Sequence, residues 1–423
     1  MRVRGSTARL SLVVVAAALV ALVVLGAALV PWSWVPGGHP AHVSADSVFT
    51  PAQIDRAVAY SSTQRHLGWA SLAISTVLAL VLGLTRAGAW VARRFRGPWW
   101  LRALLTTLAL LLLGWLATLP LALWIRHRDV AYGLSTQGLG GWFRDELVSL
   151  LVSWVFVGVL VLVVLGTIRR SPVRWPLWTA VIGALLTVLG SFVYPVVVEP
   201  LFNSFTSLPA GPLRTQVLQL ARTEGVPVDD VLVADASRRT TTLNAYVSGF
   251  GSTRRVVLYD NLVESEPRRV VLSVVGHELG HARHHDVAIG TTLGAAGAVL
   301  GAGLLGLLLT RRRLLARAGV EDPGSPELVA LLLALAAVGS LLASPFENTA
   351  SRAIEARADR AAIEATRDYP AFTAVQKQLS LRSLSDPEPP AISQLWFGSH
   401  PTALQRIGIA RALERRSASS GRG

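Results

Sequence analysis

The sequence predicts a mainly α-helical, polytopic membrane protein with about seven transmembrane helices and water-exposed portions that contain a small β-sheet. Three observations lead to this prediction. Of the 423 residues, 52% are hydrophobic, which is more than an ordinary soluble domain carries. Seven apolar stretches are long enough to cross a bilayer. Two regions, 199–286 and 346–423, are more polar and interrupt this pattern.

Charged residues, proline or glycine bound each apolar stretch and mark the expected helix ends. The predicted spans are 10–30, 68–85, 101–125, 148–168, 175–198, 287–310 and 327–345. The first follows three arginines, as the apolar part of a signal peptide does, but its apolar run is longer than is usual there. We therefore interpret it as an uncleaved membrane helix.

Charge and cysteine content narrow the possible functions. The net charge is +14, but Lys377 is the only lysine, and most arginines stand in short runs that flank apolar stretches. Such runs orient membrane helices. No groove-reading motif accompanies them, so we expect no nucleic-acid partner. The chain has no cysteine, so any metal ion must be held by nitrogen and oxygen ligands.

The first polar region predicts a helix followed by strands. PLRTQVLQLARTEG places apolar residues on one helical face and ends at Gly225. DVLVAD, LNAYVSGF and RRVVLYD are rich in β-branched and aromatic residues and predict strands, with a turn at SGFGST. Ser265 is the expected N-cap of a helix that continues through His277 and His281.

The stretch VVGHELGHARHHD carries the clearest chemical signal. On a helix, His277 and His281 lie one turn apart on one face, so both imidazoles can bind one ion at about 2 Å. Glu278 lies beside that face, where it can take a proton from metal-activated water without being a ligand. A chance match is a poor explanation in a chain with nine histidines. His284 and His285 lie past the motif and are not expected to be ligands.

A catalytic zinc site needs a third protein ligand and leaves a fourth position for water. NTASRAIEARADRAAIEATRD is alanine-rich and predicts a helix. There Glu355 and Asp359 stand four residues apart, so one carboxylate can bind metal while the other accepts a hydrogen bond from a ligand histidine. The nearby arginines leave an alternative open, namely a solvated helix with charge pairs one turn apart.

Together these segments resemble the integral-membrane zinc metalloproteases that include the type I CaaX prenyl endopeptidases and, more distantly, the bacterial protease HtpX. The matching stretches occur in the family's order: EPLFNSFTSLP, NAYVSGFG followed by RRVVLYDNL, HELGHARHHD, NTASRAIEARAD and SHPTALQRI. The resemblance covers residues 195–410, whereas the N-terminal half matches in hydrophobic pattern and span count.

The resemblance implies a gluzincin-like zinc metalloprotease domain with one Zn²⁺ per chain. It implies that His277, His281 and Glu355 are the zinc ligands, that Glu278 is the general base, and that Asp359 supports a ligand. It also implies seven helices around a large intramembrane chamber, which the catalytic domain closes at one end.

Further roles are implied for residues outside the ligand set. In SHPTALQRI, His400 resembles a histidine that contacts the substrate and stabilises the oxyanion, and Arg406 resembles an arginine near the substrate's C-terminal side. Thr402 stands where the family has a second proline. NAYVSGF resembles the edge strand along which a peptide substrate lies by β-augmentation, with Asn244 and Ala245 as the expected contacts.

These inferences give an organisation in five parts. The parts are a five-span membrane region (1–198), a catalytic subdomain with the edge strand and the HExxH helix (199–286), two further transmembrane helices (287–345), a C-terminal catalytic subdomain with the third ligand (346–415) and a disordered tail (416–423).

The expected location is the cell membrane, and the expected partners are the lipid bilayer and peptide or protein substrates, including lipidated and membrane-embedded ones. The loops at 86–96, 169–174 and 311–317 carry most of the flanking arginines, as does the N-terminus. The positive-inside rule makes that side cytoplasmic. With seven spans, the catalytic domain is then extracytoplasmic.

Three alternatives remain at this stage. One is a general quality-control protease of membrane proteins, as in HtpX, which the arginine-rich, lysine-poor composition favours because it is typical of a GC-rich bacterium. Another is a site-2-type intramembrane metalloprotease, in which the motif lies inside a span. The third is an inactive membrane scaffold or a transporter, which would lack ligands or carry charges within its spans.

Overall fold

The computed structural model describes residues 2–249 and 254–420. Its helices are α1 (Arg2–Leu29), α2 (Pro51–Leu84), α3 (Arg86–Arg93), α4 (Trp99–Ala131), α5 (Leu139–Arg170), α6 (Trp175–Val193), α7 (Pro212–Thr223), α8 (Asp260–Ser265), α9 (Arg268–Arg283), α10 (Asp286–Leu309), α11 (Arg312–Arg317), α12 (Val329–Thr366), α13 (Tyr369–Ser383), α14 (Ala391–Phe397) and α15 (Ala403–Ser420). Its strands are β1 (Phe205–Ser207), β2 (Asp230–Ala234), β3 (Ala245–Ser248) and β4 (Arg255–Tyr259). The predicted fold class, helical with one small sheet, is confirmed.

Within the described residues, seven segments are long and apolar enough to cross a membrane. They are Gly5–Leu29, Pro51–Leu84, Trp99–Ala131, Leu139–Arg170, Trp175–Leu201, Asp286–Leu309 and Pro326–Thr366. Each overlaps one predicted stretch, so the predicted count is confirmed. The stretch predicted at 68–85 is the C-terminal half of the 34-residue α2. This helix begins at Pro51, where the N-cap Thr50 and Gln53 of the first turn form a reciprocal capping box.

The outward faces of the spans consist of large apolar side chains. Leu12, Val13 and Val23 on α1 and Leu151 and Val155 on α5 are all more than half exposed. Such continuous apolar surface is unfavourable in water but matches the hydrocarbon of a bilayer. The protein is therefore a multi-pass membrane protein.

A cavity of about 660 Å³ lies between α2, α4 and α12, within the spans. Its lining is mainly apolar, with hydroxyl groups at positions such as Ser71, Ser75 and Ser340. Phe397 of α14 also lines it, so the C-terminal polar region borders the intramembrane space. The cavity is lined by three of the spans, and the large chamber within seven helices that the resemblance implies stays a prediction.

The sheet lies outside the spans and has the strand order β1-β2-β4-β3. β1 pairs antiparallel with β2, β2 parallel with β4, and β3 antiparallel with β4. The strands predicted from DVLVAD, LNAYVSGF and RRVVLYD are β2, β3 and β4, whereas β1 was not predicted. The turn predicted at SGFGST includes residues 250–253, which lie outside the described part of the chain.

Helices α7, α8, α9 and α13 contribute to one apolar core together with this sheet. Val217 of α7, Leu258 of β4, and Val275 and Leu279 of α9 are fully or almost fully buried in it. The helix predicted from PLRTQVLQLARTEG is α7, and Gly225 follows its end with a φ of +69°. This core fixes α9, which carries the HExxH motif, against the sheet.

The start of the motif helix differs from the prediction. Ser265 is the last residue of α8, not an N-cap, and its hydroxyl donates a hydrogen bond of 2.6 Å to the carbonyl of Asn261. The motif helix α9 begins at Arg268 after an extended Pro267. Proline fixes φ and lacks an amide proton, which suits the position just ahead of a helix.

The boundary expected between 345 and 346 falls inside α12, which continues for 38 residues. At about 1.5 Å per residue this helix is roughly 57 Å long, nearly twice the hydrocarbon thickness of about 30 Å. Pro345 does not end the helix. It removes one helical hydrogen bond, but the Trp396 indole N–H donates to the released carbonyl of Leu341 at 3.0 Å.

The predicted disordered tail is also helical in its described part, since α15 extends to Ser420 and 421–423 lie outside the described residues. The physical reason is a contact that sequence does not reveal. The Arg416 guanidinium donates to the carbonyls of Pro36 and Gly37, which join the end of α15 to the segment after α1.

Candidate metal centre

Helix α9 presents its two motif histidines away from the sheet. Val275 and Leu279 are buried in the core on one side, and His277 and His281 stand one turn apart on the side that faces α12. The motif is therefore outside the membrane spans, because the sixth span begins later, at Asp286. This position contradicts the site-2-type alternative, in which the motif lies inside a spanning helix.

Small residues let α9 and α12 pack closely. A Cβ atom built on Gly280 would lie 2.8 Å from the Ala361 Cβ, and one on Gly276 would lie 3.3 Å from the Ala362 Cα. Ala358, Ala361 and Ala362 are buried at this seam. The alanine-rich stretch is thus a packing surface, which argues against the alternative of a solvated helix.

The close approach brings Glu355 of α12 against both histidines. The His277 Nε2 lies 3.2 Å from the Glu355 Oε2, and the His281 Nε2 lies 3.5 Å from the Glu355 Oε1. The two Nε2 atoms are 3.1 Å apart. Ligand atoms of the three residues all lie within 4.8 Å of one another, so they can reach a single metal ion.

Each histidine is oriented through its other ring nitrogen. The His277 Nδ1 lies 3.0 Å from the Asp359 Oδ1, and this carboxylate is fully buried. Arg406 holds Asp359 with two guanidinium nitrogens, the Nε 2.9 Å from Oδ2 and the Nη2 2.5 Å from Oδ1. The arrangement favours the tautomer with the proton on Nδ1, which leaves Nε2 free to bind a metal.

A second carboxylate, which the sequence analysis did not select, orients the other histidine. The His281 Nδ1 lies 2.8 Å from the Asp286 Oδ2, and the Arg357 guanidinium donates to the Asp286 Oδ1. The signal in the sequence that could have indicated this contact is that Asp286, the last residue of HARHHD, follows His281 by five residues. His284 and His285 do not belong to the metal-binding group.

The donor set fits a divalent cation. In the tautomer that the two carboxylates favour, with the proton on Nδ1, both Nε2 atoms carry a free lone pair, and these two atoms are 3.1 Å apart. The Glu355 Oε2 is buried there without a hydrogen-bond donor. Three electron-pair donors at such distances repel one another unless a cation lies between them, and two histidines with one glutamate form a known catalytic zinc set.

Glu278 and His400 lie beside this group. Burial raises the pKa of the Glu278 carboxyl above its ordinary value, although the neighbouring histidines lower it. His400 comes from the loop before α15, and its Nε2 lies 3.4 Å from the Glu355 Oε1. Its Nδ1 is 2.8 Å from the Ser399 hydroxyl. A carboxyl side chain and a histidine therefore flank the group that could bind a metal ion.

A cavity of about 370 Å³ opens next to these residues. Of the predicted site residues, Asn244, His277, Glu278, His400 and Arg406 line it. Its remaining wall is largely apolar and comes mainly from α8, α9 and α13, with Leu262, Ser273, Val274, Phe372, Val375, Gln376, Leu379 and Ser383. No motif singled out the α13 residues, because they meet the site only through the fold.

The edge of β3 is the other predicted substrate element. Among the described strands β3 pairs only with β4, so its opposite edge is unpaired. The Tyr259 amide donates to the Asn244 carbonyl, and in the antiparallel register Ala245 and Val247 then direct their backbone groups to the unpaired edge. The Asn244 side chain accepts the Ala245 amide at 2.9 Å.

The spans and the site together define an integral-membrane metallopeptidase. Residues 207–414 match the family model of peptidase family M48, and residues 39–204 match the model described as "CAAX prenyl protease N-terminal, five membrane helices". The chain belongs to this family, that of the type I CaaX prenyl endopeptidases. It is a membrane metalloendopeptidase that resembles CaaX prenyl proteases.

Similar proteins include one bacterial and one eukaryotic relative. The chain is 30% identical to the Bacillus subtilis protein "Uncharacterized metalloprotease YhfN", over 87% of this chain and 88% of that protein. It is 25% identical to the human "CAAX prenyl protease 1 homolog", over 67% and 68%. The crystal structure of S. mikatae Ste24p has the same fold, with a TM-score of 0.78, 18% identity, and coverage of 95% of this chain and 99% of that one.

Proposed function

We propose that the protein is a zinc-dependent endopeptidase in which His277, His281 and Glu355 bind one Zn²⁺. The observation that carries the proposal is the group of two imidazoles and one carboxylate whose ligand atoms lie within 4.8 Å of one another. Its position beside Glu278 and a cavity of about 370 Å³ supports peptide hydrolysis rather than a structural metal role. An inactive scaffold or a transporter would not require this arrangement.

Bound zinc would supply a Lewis acid that polarises the scissile carbonyl and makes water more acidic. Glu278 takes a proton from the attacking water and passes it to the nitrogen of the leaving amine. The water oxygen bonds to the carbonyl carbon, and the carbon–nitrogen bond breaks. His400 donates a hydrogen bond to the oxyanion that develops on the carbonyl oxygen.

The substrate's backbone lies along the free edge of β3. Ala245 begins this edge, whereas Asn244 precedes it with its carbonyl bonded to the Tyr259 amide of β4 and contacts the substrate from the cavity that it lines. Pairing through backbone groups holds an extended peptide largely without regard to its sequence. Selectivity then comes from the cavity, where the apolar wall accepts a substrate side chain and Arg406 stands near the substrate's C-terminal side.

A pair of substitutions tests this mechanism. Glu278→Gln keeps the three ligands and removes the base, so it retains zinc while kcat falls by a factor of about 10²–10⁴. His277→Ala removes a ligand and loses both zinc and activity. Metal content and cleavage are measured on the same purified samples. Wild-type activity in the Glu278→Gln protein would refute the mechanism.

The substrate class is tested with matched C-terminal peptides that differ only in a prenyl group, with Glu278→Gln as the blank. Cleavage confined to the prenylated peptide would support a CaaX-type endopeptidase, which acts on lipidated substrates. Equal cleavage of both would support the second candidate, a broader quality-control protease of membrane proteins. Cleavage that does not depend on Glu278 would contradict both.

The proposed orientation has the zinc site outside the cytoplasm. Loops rich in arginine meet at the opposite end of the bundle, where Arg93 donates to Gly319 and Arg317 donates to Leu84. Arg169, near the C-terminal end of α5, also donates a hydrogen bond to the Gly324 carbonyl at that end. The positive-inside rule makes this end cytoplasmic. A C-terminal reporter fusion that is active in the cytoplasm would refute this orientation.

A further inference from the structure

The contact between His281 and Asp286 extends the metal centre to the first residue of a membrane span. The Asp286 Oδ2 lies 2.8 Å from the His281 Nδ1, and only 6% of the Asp286 side chain is exposed. Its other oxygen accepts a hydrogen bond from Arg357, whose side chain is 15% exposed. Both oxygens of this buried carboxylate are thus committed, one to a ligand histidine and one to a cation.

The two ligand histidines therefore have equivalent surroundings from different parts of the chain. His277 faces Asp359, which Arg406 holds, and both of these residues follow the third ligand in the sequence. His281 faces Asp286, which Arg357 holds. In each case a carboxylate contacts Nδ1 and an arginine compensates the charge of that carboxylate, so the ring is oriented with Nε2 directed to the proposed metal position.

The chain makes a special turn to create the second contact. Helix α9 ends at Arg283, and His285 adopts a left-handed φ of 57° before α10 begins. A left-handed conformation is unfavourable for a residue other than glycine and persists where surrounding contacts enforce it. Here it lies in the short link between the two helices, and Asp286, the next residue, contacts His281.

A simpler role for Asp286 has to be distinguished from this one. An acidic residue in the first turn of a helix interacts favourably with the helix dipole, and Asp286 is in the first turn of α10. That role needs a negative charge but no contact with His281 or Arg357. Near-complete burial and the two directed contacts go beyond what it requires.

We propose that Asp286, held by Arg357, is a positioning residue that fixes the tautomer and ring orientation of His281 for metal binding. The inference rests on the proposed zinc function. Because Asp286 is the first residue of α10, it also makes the geometry of one ligand depend on the position of the sixth span. Helix α10 packs against α1 and α6, so these membrane helices determine where the carboxylate stands.

The test measures zinc affinity of the full-length purified protein by competition with a chromophoric chelator. We expect Asp286→Ala to weaken zinc binding by a factor of about 10–100, the usual effect of removing such a partner. Asp286→Asn keeps an acceptor without the charge and should have an intermediate affinity. Arg357→Gln should act in the same direction as Asp286→Asn, because it leaves the carboxylate without its cation.

A matched control comes from Glu224, a carboxylate that follows α7 and contacts the last residue of α9. Glu224 pairs with Arg283 at 2.8 Å but has no contact with a metal-ligand residue. Glu224→Gln should leave zinc affinity unchanged. The visible absorption spectrum of the Co²⁺-substituted protein adds a second readout, since it reports ligand geometry, and it should change in Asp286→Ala but not in Glu224→Gln.

Wild-type zinc affinity and an unchanged Co²⁺ spectrum in Asp286→Ala would overturn the proposal and leave Asp286 as a helix-dipole residue. If Asp286→Ala does not fold, Asp286→Asn decides. Weaker zinc binding with an unchanged unfolding midpoint of the metal-free protein would support positioning, and unchanged zinc binding would overturn it. If the wild type itself binds no zinc, the proposed function fails before the positioning role is at issue.

Discussion

The seam between α9 and α12 makes the metal centre sensitive to a single methyl group at Gly280. A Cβ atom there would lie 2.8 Å from the Ala361 Cβ, whereas ordinary contacts begin at 3.4 Å. Gly280→Ala must therefore separate the two helices locally by about 0.6 Å, the difference between these distances. A metal site keeps its metal–ligand distances within about 0.2 Å of their usual values. Because α9 carries the histidines and α12 carries Glu355, the substitution should disrupt the donor group.

Two other glycines provide a graded comparison. A Cβ on Gly276 would lie 3.3 Å from the Ala362 Cα, so Gly276→Ala needs a shift of only about 0.1 Å. A Cβ on Gly290, in α10, meets nothing within 4 Å. All three substitutions gain the helix propensity of alanine, about 0.8–1.0 kcal/mol. Overpacking opposes this gain and typically costs about 1–3 kcal/mol, so only Gly280→Ala should be clearly destabilised.

The assay combines zinc affinity with the midpoint of thermal unfolding in detergent. We expect Gly280→Ala to bind zinc at least about tenfold more weakly, and we expect Gly276→Ala and Gly290→Ala to bind it like the wild type. The unfolding midpoint should fall only for Gly280→Ala. If Gly280→Ala and Gly290→Ala have equal zinc affinities, the close seam does not control the donor geometry and the reasoning is wrong.

Three further predictions concern other parts of the structure. His400→Ala should lower kcat by a factor of about 10²–10³, because the developing oxyanion loses a hydrogen-bond donor. Zinc content should be retained, because 57% of the side chain is exposed and His400 is not in the proposed ligand group. Steady-state cleavage and metal analysis check this, and an unchanged kcat would exclude an oxyanion role. Arg65→Met should lower the free energy of unfolding by about 1–3 kcal/mol, because Arg65 and Asp386 form an ion pair at 3.1 Å whose side chains are only 14% and 10% exposed. Thermal unfolding measures this loss. The double variant with Asp386→Asn should lose less stability than the sum of the two single variants. Removal of the metal by a chelator should abolish cleavage and lower the thermal unfolding midpoint, since a ligand at a hundred times its Kd stabilises the folded state by about 2.7 kcal/mol. Addition of Zn²⁺ should restore both. An unfolding midpoint that does not change with the chelator would contradict a metal bound to the folded state.

Features that depend on neighbouring residues in the sequence could be predicted without the structure. The seven spans follow from runs of apolar residues, because the bilayer selects for length and hydropathy alone. The pairing of His277 with His281 follows from helix geometry over one turn. Spacing also identified Glu355 and Asp359 as a carboxylate pair, although the assignment of Glu355 as third ligand came from the family resemblance.

Features that depend on contacts between distant segments were decided by the tertiary structure. Asp286 stood in the motif stretch but had no visible role until the turn at His285 directed it toward His281. The α13 wall of the cavity carries no motif, and the continuation of α12 through Pro345 depends on Trp396. Local sequence patterns determine which residues share a helix face, but only packing determines which faces meet, and the metal centre lies where the faces of α9 and α12 meet.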